Sequence, residues 1–302
     1  PENELLGVRI NTFDPGKLPE SEDQSRGISA DVRKAEGYYI AVRLRNTMQG
    51  SGHWGPVRVV PAGTGDGEIV VTGAILESDG EILKLKVAVN DATGAEWFTK
   101  EYSGVVNKEI YNQTSQVGTD AFQFLYNRIA NDIALHRRKI DRNRIAEISR
   151  IAELKFAGSF APDIFSDYLK KEKSDGLLGD GKERYTVARL PAQNDPMYQR
   201  IRRIRGREEL LIDTLDQQYD GLTKKIADAY TQWRVARLTE INAIREREKI
   251  RDKQVNQAVA IGVIGAIIGG VLASKGGGSG STIVGGVIAG SAINIAFQQA
   301  SR

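Results

Sequence analysis

The chain of 302 residues contains no cysteine. That excludes disulfides, thiolate metal sites and thiol nucleophiles. Its two histidines, His53 and His136, are too few and too far apart for a histidine-rich metal centre. A large excess of charge of one sign is also missing. A formal net charge of +3 is too small to imply a nucleic-acid partner by itself. Proline is absent after Pro196, so nothing in the last third of the chain forbids a long helix. No nucleophile–base pair and no carboxylate constellation emerges, which leaves catalysis without support and calls for no cofactor.

The first hundred residues carry the clearest pattern. Leu5 to Phe13 reads as a strand, and a polar loop with two prolines follows. From Ser29 a helix is predicted, with Ser29 as N-cap. Val32, Ala35, Tyr39, Val42 and Met48 lie on one face, and Gly50 and Gly52 end it. Trp54 to Pro61 is a second strand. After Glu68 come three strands joined by turns at Asp79-Gly80 and at Asn90 to Gly94. In the middle strand Leu83, Leu85, Val87 and Val89 alternate with Lys84, Lys86 and Ala88, which sets one face on a core and the other toward water. The expectation is an α+β fold with a small N-terminal β-α-β-β-β domain over residues 1–104, its helix covering one side of the sheet.

Beyond Tyr102 the period becomes helical. Tyr126, Ile129, Ile133 and Ile140, then Ile148, Ile151 and Leu154, mark a helical segment over 105–196, with a shorter helix starting at Pro162 and loop-like sequence after it. Residues 197–256 predict a long amphipathic helix. Met197, Ile201, Ile204, Leu211, Leu215, Tyr219, Leu222, Ile226, Tyr230 and Trp233 recur mostly at steps of three or four. Gly206 and Gly221 are the places where it could bend. A helix of that length needs partners, either earlier helices or copies of itself.

Residues 257–302 are two apolar runs crowded with glycine and joined by the loop KGGGSGST. Ala258, Gly262, Ala266 and Gly270 fall every fourth position, and Gly265 and Gly269 make an adjacent row. Gly286, Gly290 and Asn294 repeat the spacing in the second run. Such spacing lets helix backbones approach closely where lipid offers little hydrophobic drive for association. A C-terminal glycine-rich transmembrane helical hairpin is therefore expected, with these nine residues as its packing and oligomerisation positions. The small-residue pattern resembles the glycine-zipper segments of bacterial envelope proteins, and the N-terminal unit is similar to the small α/β domains of outer-membrane lipoproteins. The resemblance implies a structural homo-oligomer, a ring or pore-like subunit of a secretion, motility or export machine. Its soluble part would lie in the periplasm, at the outer or alternatively the inner membrane. Its partners would be copies of itself, the lipid bilayer and other subunits of the machine, with no nucleic acid. The competing expectation is a peripheral adaptor, or a delivered membrane-active protein, whose long helix binds a different protein.

Three local patterns suggest chemistry and lose to plainer readings. Gly176 to Glu183 mimics a phosphate-binding loop but puts Glu183 where a magnesium-binding hydroxyl is needed. Arg200, Arg202, Arg203, Arg205 and Arg207 form a basic run at once followed by Glu208 and Glu209, as on a solvated or partner-pairing helix face. Asp213, Asp216 and Asp220 could suggest a metal but fit a polar helix face. His136 reads as a surface helix residue.

Overall fold

A computed structural model describes residues 5–17, 30–64, 67–116, 119–173, 183–192 and 194–275, the stretch 254–275 as helical backbone. The chain divides into two units, Pro1–Arg237 and Leu238–Arg302.

The first unit begins with β1 (Val8–Asn11), α1 (Ala30–Gly50), β2 (Val57–Val60), β3 (Ile69–Ser78), β4 (Ile82–Asp91) and β5 (Glu96–Val105). The strands form one mixed sheet in the order β2-β1-β3-β4-β5. β1 is parallel to both neighbours, while β3, β4 and β5 form an antiparallel meander. The unit is thus β-α-β-β-β-β: the five strands read one by one in the sequence are all present, and the β-α-β-β-β label counted one too few. Gly80 and Gly94 sit at the meander's two turns with φ of 93° and 82°, a region other residues enter only with strain.

Leu83, Leu85, Val87 and Val89 are no more than 1% exposed, as their alternation predicts. Register places them on one face with Val8, Ile10, Val57, Val59, Ile69 and Val71. That face is the core, and burying each such side chain stabilises by about 1.5–3 kcal/mol. α1 and the later helix α3 (Gln123–Arg137) lie against it and against each other. Phe13 closes one end of this layer. A Cβ on Gly73 would stand 2.2 Å from its ring, and one on Gly37 would stand 2.4 Å from its carbonyl oxygen, so both positions need glycine.

Along the chain, α2 (Lys108–Gln116) follows β5 and precedes α3; the sequence reading did not separate it. α4 (Arg142–Phe160) follows α3 after a break at Asp141, whose side chain accepts from the Arg144 amide at 2.9 Å and starts a new helix. The predicted helix at Pro162 is a single turn, α5 (Pro162–Phe165). The stretch read as loop contains β7 (Glu183–Val187), paired antiparallel with β6 (Leu169–Lys173). So the 105–196 segment is not wholly helix and loop; it carries a hairpin.

The long helix, α6, runs unbroken from Pro196 to Lys275, through Gly206 and Gly221. This corrects the expected architecture. The sequence reading ended the amphipathic helix near residue 256 and placed a transmembrane hairpin after it. Among the described residues, no helix is long and apolar enough to cross a membrane. The described side chains of α6 mix apolar with charged residues as far as Lys253, the pattern of an amphipathic helix. The expected C-terminal transmembrane hairpin is withdrawn. Ala258, Gly262, Gly265, Ala266, Gly269 and Gly270 fall within the helical backbone of α6; Gly286, Gly290 and Asn294 lie outside the described residues.

Candidate functional site, a buried ionic clamp

The densest polar cluster of the first unit joins α1, the start of α3 and α6. Its origin is unusual in the sequence of α1, where Arg33 and Glu36 are 5% and 0% exposed although both are charged. Charges are seldom so deeply buried without a partner. Glu36 has three. Its Oε2 accepts from Arg33 Nη1 at 3.1 Å, and its Oε1 accepts from the Ser78 and Tyr230 hydroxyls. Arg33 also donates to the Ser78 carbonyl at 3.1 Å.

The second node is Asp120, just before α3. Arg234 on α6 reaches both carboxylate oxygens, at 3.3 and 3.0 Å. Tyr39 Oη donates at 2.8 Å and the Phe122 amide at 2.8 Å. The Arg234 and Asp120 side chains are 2% and 1% exposed. The guanidinium also lies over three rings, 4.0 Å from the centroid of Tyr230, 5.2 Å from Tyr39 and 5.4 Å from Phe122. Tyr39 and Tyr230 themselves meet at 4.8 Å.

The electrostatics around the Asp120 node set the charge of its members. Burial pushes the Asp120 carboxyl up, but the Arg234 guanidinium and the hydrogen bonds outweigh it and hold Asp120 below the ordinary carboxylate range. Burial, with the Asp120 charge behind it, raises Tyr39 to about 12. Tyr230 and Tyr126 are pushed well above the ordinary phenol value, burial being the main cause. Around neutrality Asp120 is an anion, Arg234 a cation and the tyrosines neutral. None of them is poised to trade a proton, as a general acid or base must be.

A second row of contacts fastens the preceding turns of α6. Arg58 on β2 grips Asp213 through Nε at 2.5 Å and Nη2 at 3.2 Å. Asp216 accepts from the Val59 amide at 2.8 Å and lies 3.4 Å from Arg45. Asp220 takes Arg45 at 3.0 Å and Lys224 at 2.7 Å. Tyr38 and Tyr219 rings meet at 5.3 Å. These contacts also seal the sheet. β2 is an edge strand, and its Val57 and Val59 amides are taken by Gln49 Oε1 at 2.9 Å and by Asp216. An edge whose donors are occupied cannot template another strand.

The three aspartates weighed as metal ligands are therefore spent on arginines and a strand edge. Among the described residues, no group of histidine or acidic side chains could hold a metal ion. Of the basic run, Arg202 and Arg205 line a cavity of about 310 Å³ with Arg9 and Arg58, but Glu68, Glu153 and Glu209 line it too, and Arg205 pairs Glu209 at 3.5 Å. The phosphate-loop mimic lies outside the described residues up to Glu183, which pairs Lys171 at 2.6 Å. His136 stacks on Trp97 at 4.8 Å, and burial, then Lys139, lowers its pKa. The sequence reading missed the clamp, although one signal pointed to it: Arg234 stands four residues after Tyr230, inside the apolar stripe.

No family model matches this chain, and no curated protein does. Among solved structures a PelC dodecamer from Paraburkholderia phytofirmans is similar, at 13% identity, over 44% of this chain and 90% of that chain, with a TM-score of 0.28. A likeness so distant carries no argument about this chain.

Proposed function

We propose that this chain is a structural, non-catalytic subunit of the bacterial cell envelope. It assembles with copies of itself into a ring or collar that serves a secretion, motility or export machine. One observation carries the reading, the pair Arg234–Asp120 sealed at 2% and 1% exposure between α6 and the α/β unit. The most elaborate polar site of the unit is spent on holding a helix. Breaking such a pair costs about 3–5 kcal/mol, so it fixes one register of α6 on the sheet layer. In a symmetric assembly every copy then presents its helix identically, which closed rings require. The four-residue spacing of Ala258, Gly262, Ala266 and Gly270 sets small residues in one row along α6, and that row is the contact assigned between copies.

The test is the native mass of the full chain, with electron-microscope class averages. Rings or a fixed multiple of the 33.2 kDa protomer are expected. A monodisperse monomer across a wide concentration range would refute the reading. Leucine at Gly262, Gly270 and Gly290 together is expected to dissolve the assembly while leaving unfolding of the α/β unit unchanged; assembly that survives the triple substitution removes the small residues from the account.

A further inference from the structure

The sheet face turned away from the core has a hollow that the clamp does not use. It measures about 320 Å³ and is lined by Asn11, Thr12, Asp14, Thr72, Ala74 and Lys86, among others. Small ligands occupy pockets from about 300 Å³ upward. Its place in the fold is one where α/β sheets bind ligands. β1 ends here, its chain leaving toward α1, with β2 on one side and β3 on the other. Crevices at the carboxyl end of a strand whose neighbours are reached in opposite directions are recurrent ligand sites.

The chemistry of the walls is specific. Asp14 bridges to Ala74, and Ala74 lies opposite Lys86, so the three form one row across the sheet. With strands about 4.8 Å apart, the carboxylate and the ammonium start about 10 Å from each other on either side of a floor one methyl deep. Among the described residues, Asp14 Oδ1 accepts the local Gly16 amide at 2.9 Å. Glu101, opposite Lys86 in register, gives its carboxylate to Lys84 at 2.8 Å. In the next row Thr72 and Ala88 continue the floor. Asn11 lines its end, 6% exposed, with no hydrogen-bond partner for Oδ1 among the described residues. Leaving such a group unpaired is costly, and a carboxamide can turn to offer either its donor or its acceptor.

We propose that this hollow binds a small zwitterion, a free amino acid or dipeptide. Its ammonium pairs with Asp14, its carboxylate with Lys86, and Asn11 takes a remaining polar group. The inference is independent of the proposed assembly, since it rests on the α/β unit alone. The probes are L-alanine, the dipeptide L-alanyl-L-alanine, and two halves of a zwitterion, propionate and ethylamine. Binding is read by titration calorimetry and by amide shifts of Thr12, Thr72 and Ala74 on the full chain. One of the two zwitterions is expected to bind, shifting these three amides. Lys86→Gln and Asp14→Asn, both at exposed side chains, are each expected to weaken it about tenfold or more, the usual worth of a charge-assisted hydrogen bond. Three results overturn the proposal: no binding of either zwitterion up to about 10 mM, far weaker than the micromolar to millimolar affinities usual for such sites; propionate or ethylamine binding as well as alanine; or binding indifferent to both substitutions.

Discussion

Replacing Arg234 with methionine puts the clamp to its strictest test, because it removes the charge and keeps most of the stem. Asp120 has four donors, two of them from Arg234. After the change only Tyr39 and the Phe122 amide remain, around a carboxylate 1% exposed. Removing one partner of a buried pair costs about 3–5 kcal/mol at pH 7. For a unit of this size that corresponds to roughly 6–20 °C in Tm, at about 2–4 °C per kcal/mol.

The pH dependence separates this cause from lost packing. In the wild type the Asp120 pKa is depressed, so its ionised form adds stability above the unfolded value near 3.9, lost only as pH falls through the lower folded value. In Arg234→Met the burial that pushes Asp120 up has no cation against it, so its folded pKa rises. The buried anion then works against folding at pH 7, and the penalty is relieved as pH falls and the carboxyl takes a proton. The stability gap between the two proteins should therefore narrow from pH 7 to pH 4.5, by about 1.4 kcal/mol for each unit of pKa change expressed in that window. Urea unfolding at both pH values measures it, followed by the fluorescence of Trp233, which stacks on Tyr230 at 5.9 Å. Asp120→Asn combined with Arg234→Met completes a cycle, with a coupling of about 2 kcal/mol or more expected for groups in direct contact. A cost below about 1 kcal/mol at pH 7, the range of exposed pairs, or an equal gap at both pH values, would show that the pair does not hold the helix.

Three smaller perturbations address other contacts. Gly73→Ala drives a methyl into the Phe13 ring, 2.2 Å away, and should cost about 1–3 kcal/mol in thermal unfolding; Phe13→Leu in the same chain should recover part of it. Burial raises the Asp216 pKa despite the Val59 amide and Arg45, so its ionisation works against folding above that pKa. Asp216→Asn keeps an acceptor for Val59 and should gain on wild type as pH rises from 4 to 7, whereas Asp216→Ala orphans the amide and should lose about 1–3 kcal/mol; equal effects of the two would sink the edge-capping role. His136 has its pKa lowered by burial against Trp97, so protonation opposes folding and wild-type stability should fall as pH drops through the ordinary imidazole range near 6.5. His136→Phe keeps a ring on Trp97, and its unfolding midpoint should be flatter between pH 7 and 5.

Much of the sheet was legible because its constraints are local. β4 alternates strictly because one face is core and the other is not, and its turns need glycine at the positions where φ is positive. The β6–β7 hairpin escaped for the opposite reason. LKKEK and ERYTV have almost no apolar period, and no residue of either strand is fully buried. Their pairing is supported from outside, by the Tyr185 amide on the Thr93 carbonyl at 2.9 Å and by the backbone of Glu183 seated against Gly94. No window of ten residues contains that information. The break between α3 and α4 could have been seen, since Asp141 is a standard N-cap residue, but the apolar period runs across it without losing phase.

The clamp escaped for a subtler physical reason. The apolar stripe of α6 is real, yet its best-buried positions include Thr223, Arg234 and Arg237 beside Ile201, Ile212 and Tyr230. A rule that assigns polar residues to the solvent side turns the helix slightly and reads the stripe as waiting for another helix, which is why earlier helices or copies of itself were expected to cover it. An arginine one turn after a buried tyrosine is better read as a demand for a buried acid, because desolvating a guanidinium alone costs far more than any packing can return. The chain has 39 acidic residues, and helical period alone cannot choose among them. The choice falls on Asp120, 114 positions away, because the turn before α3 also offers it the Phe122 amide and α1 offers it Tyr39. The demand is mutual: the buried Asp120 stays an anion because the Arg234 charge stands against its desolvation, and Arg234 is buried because that carboxylate receives it.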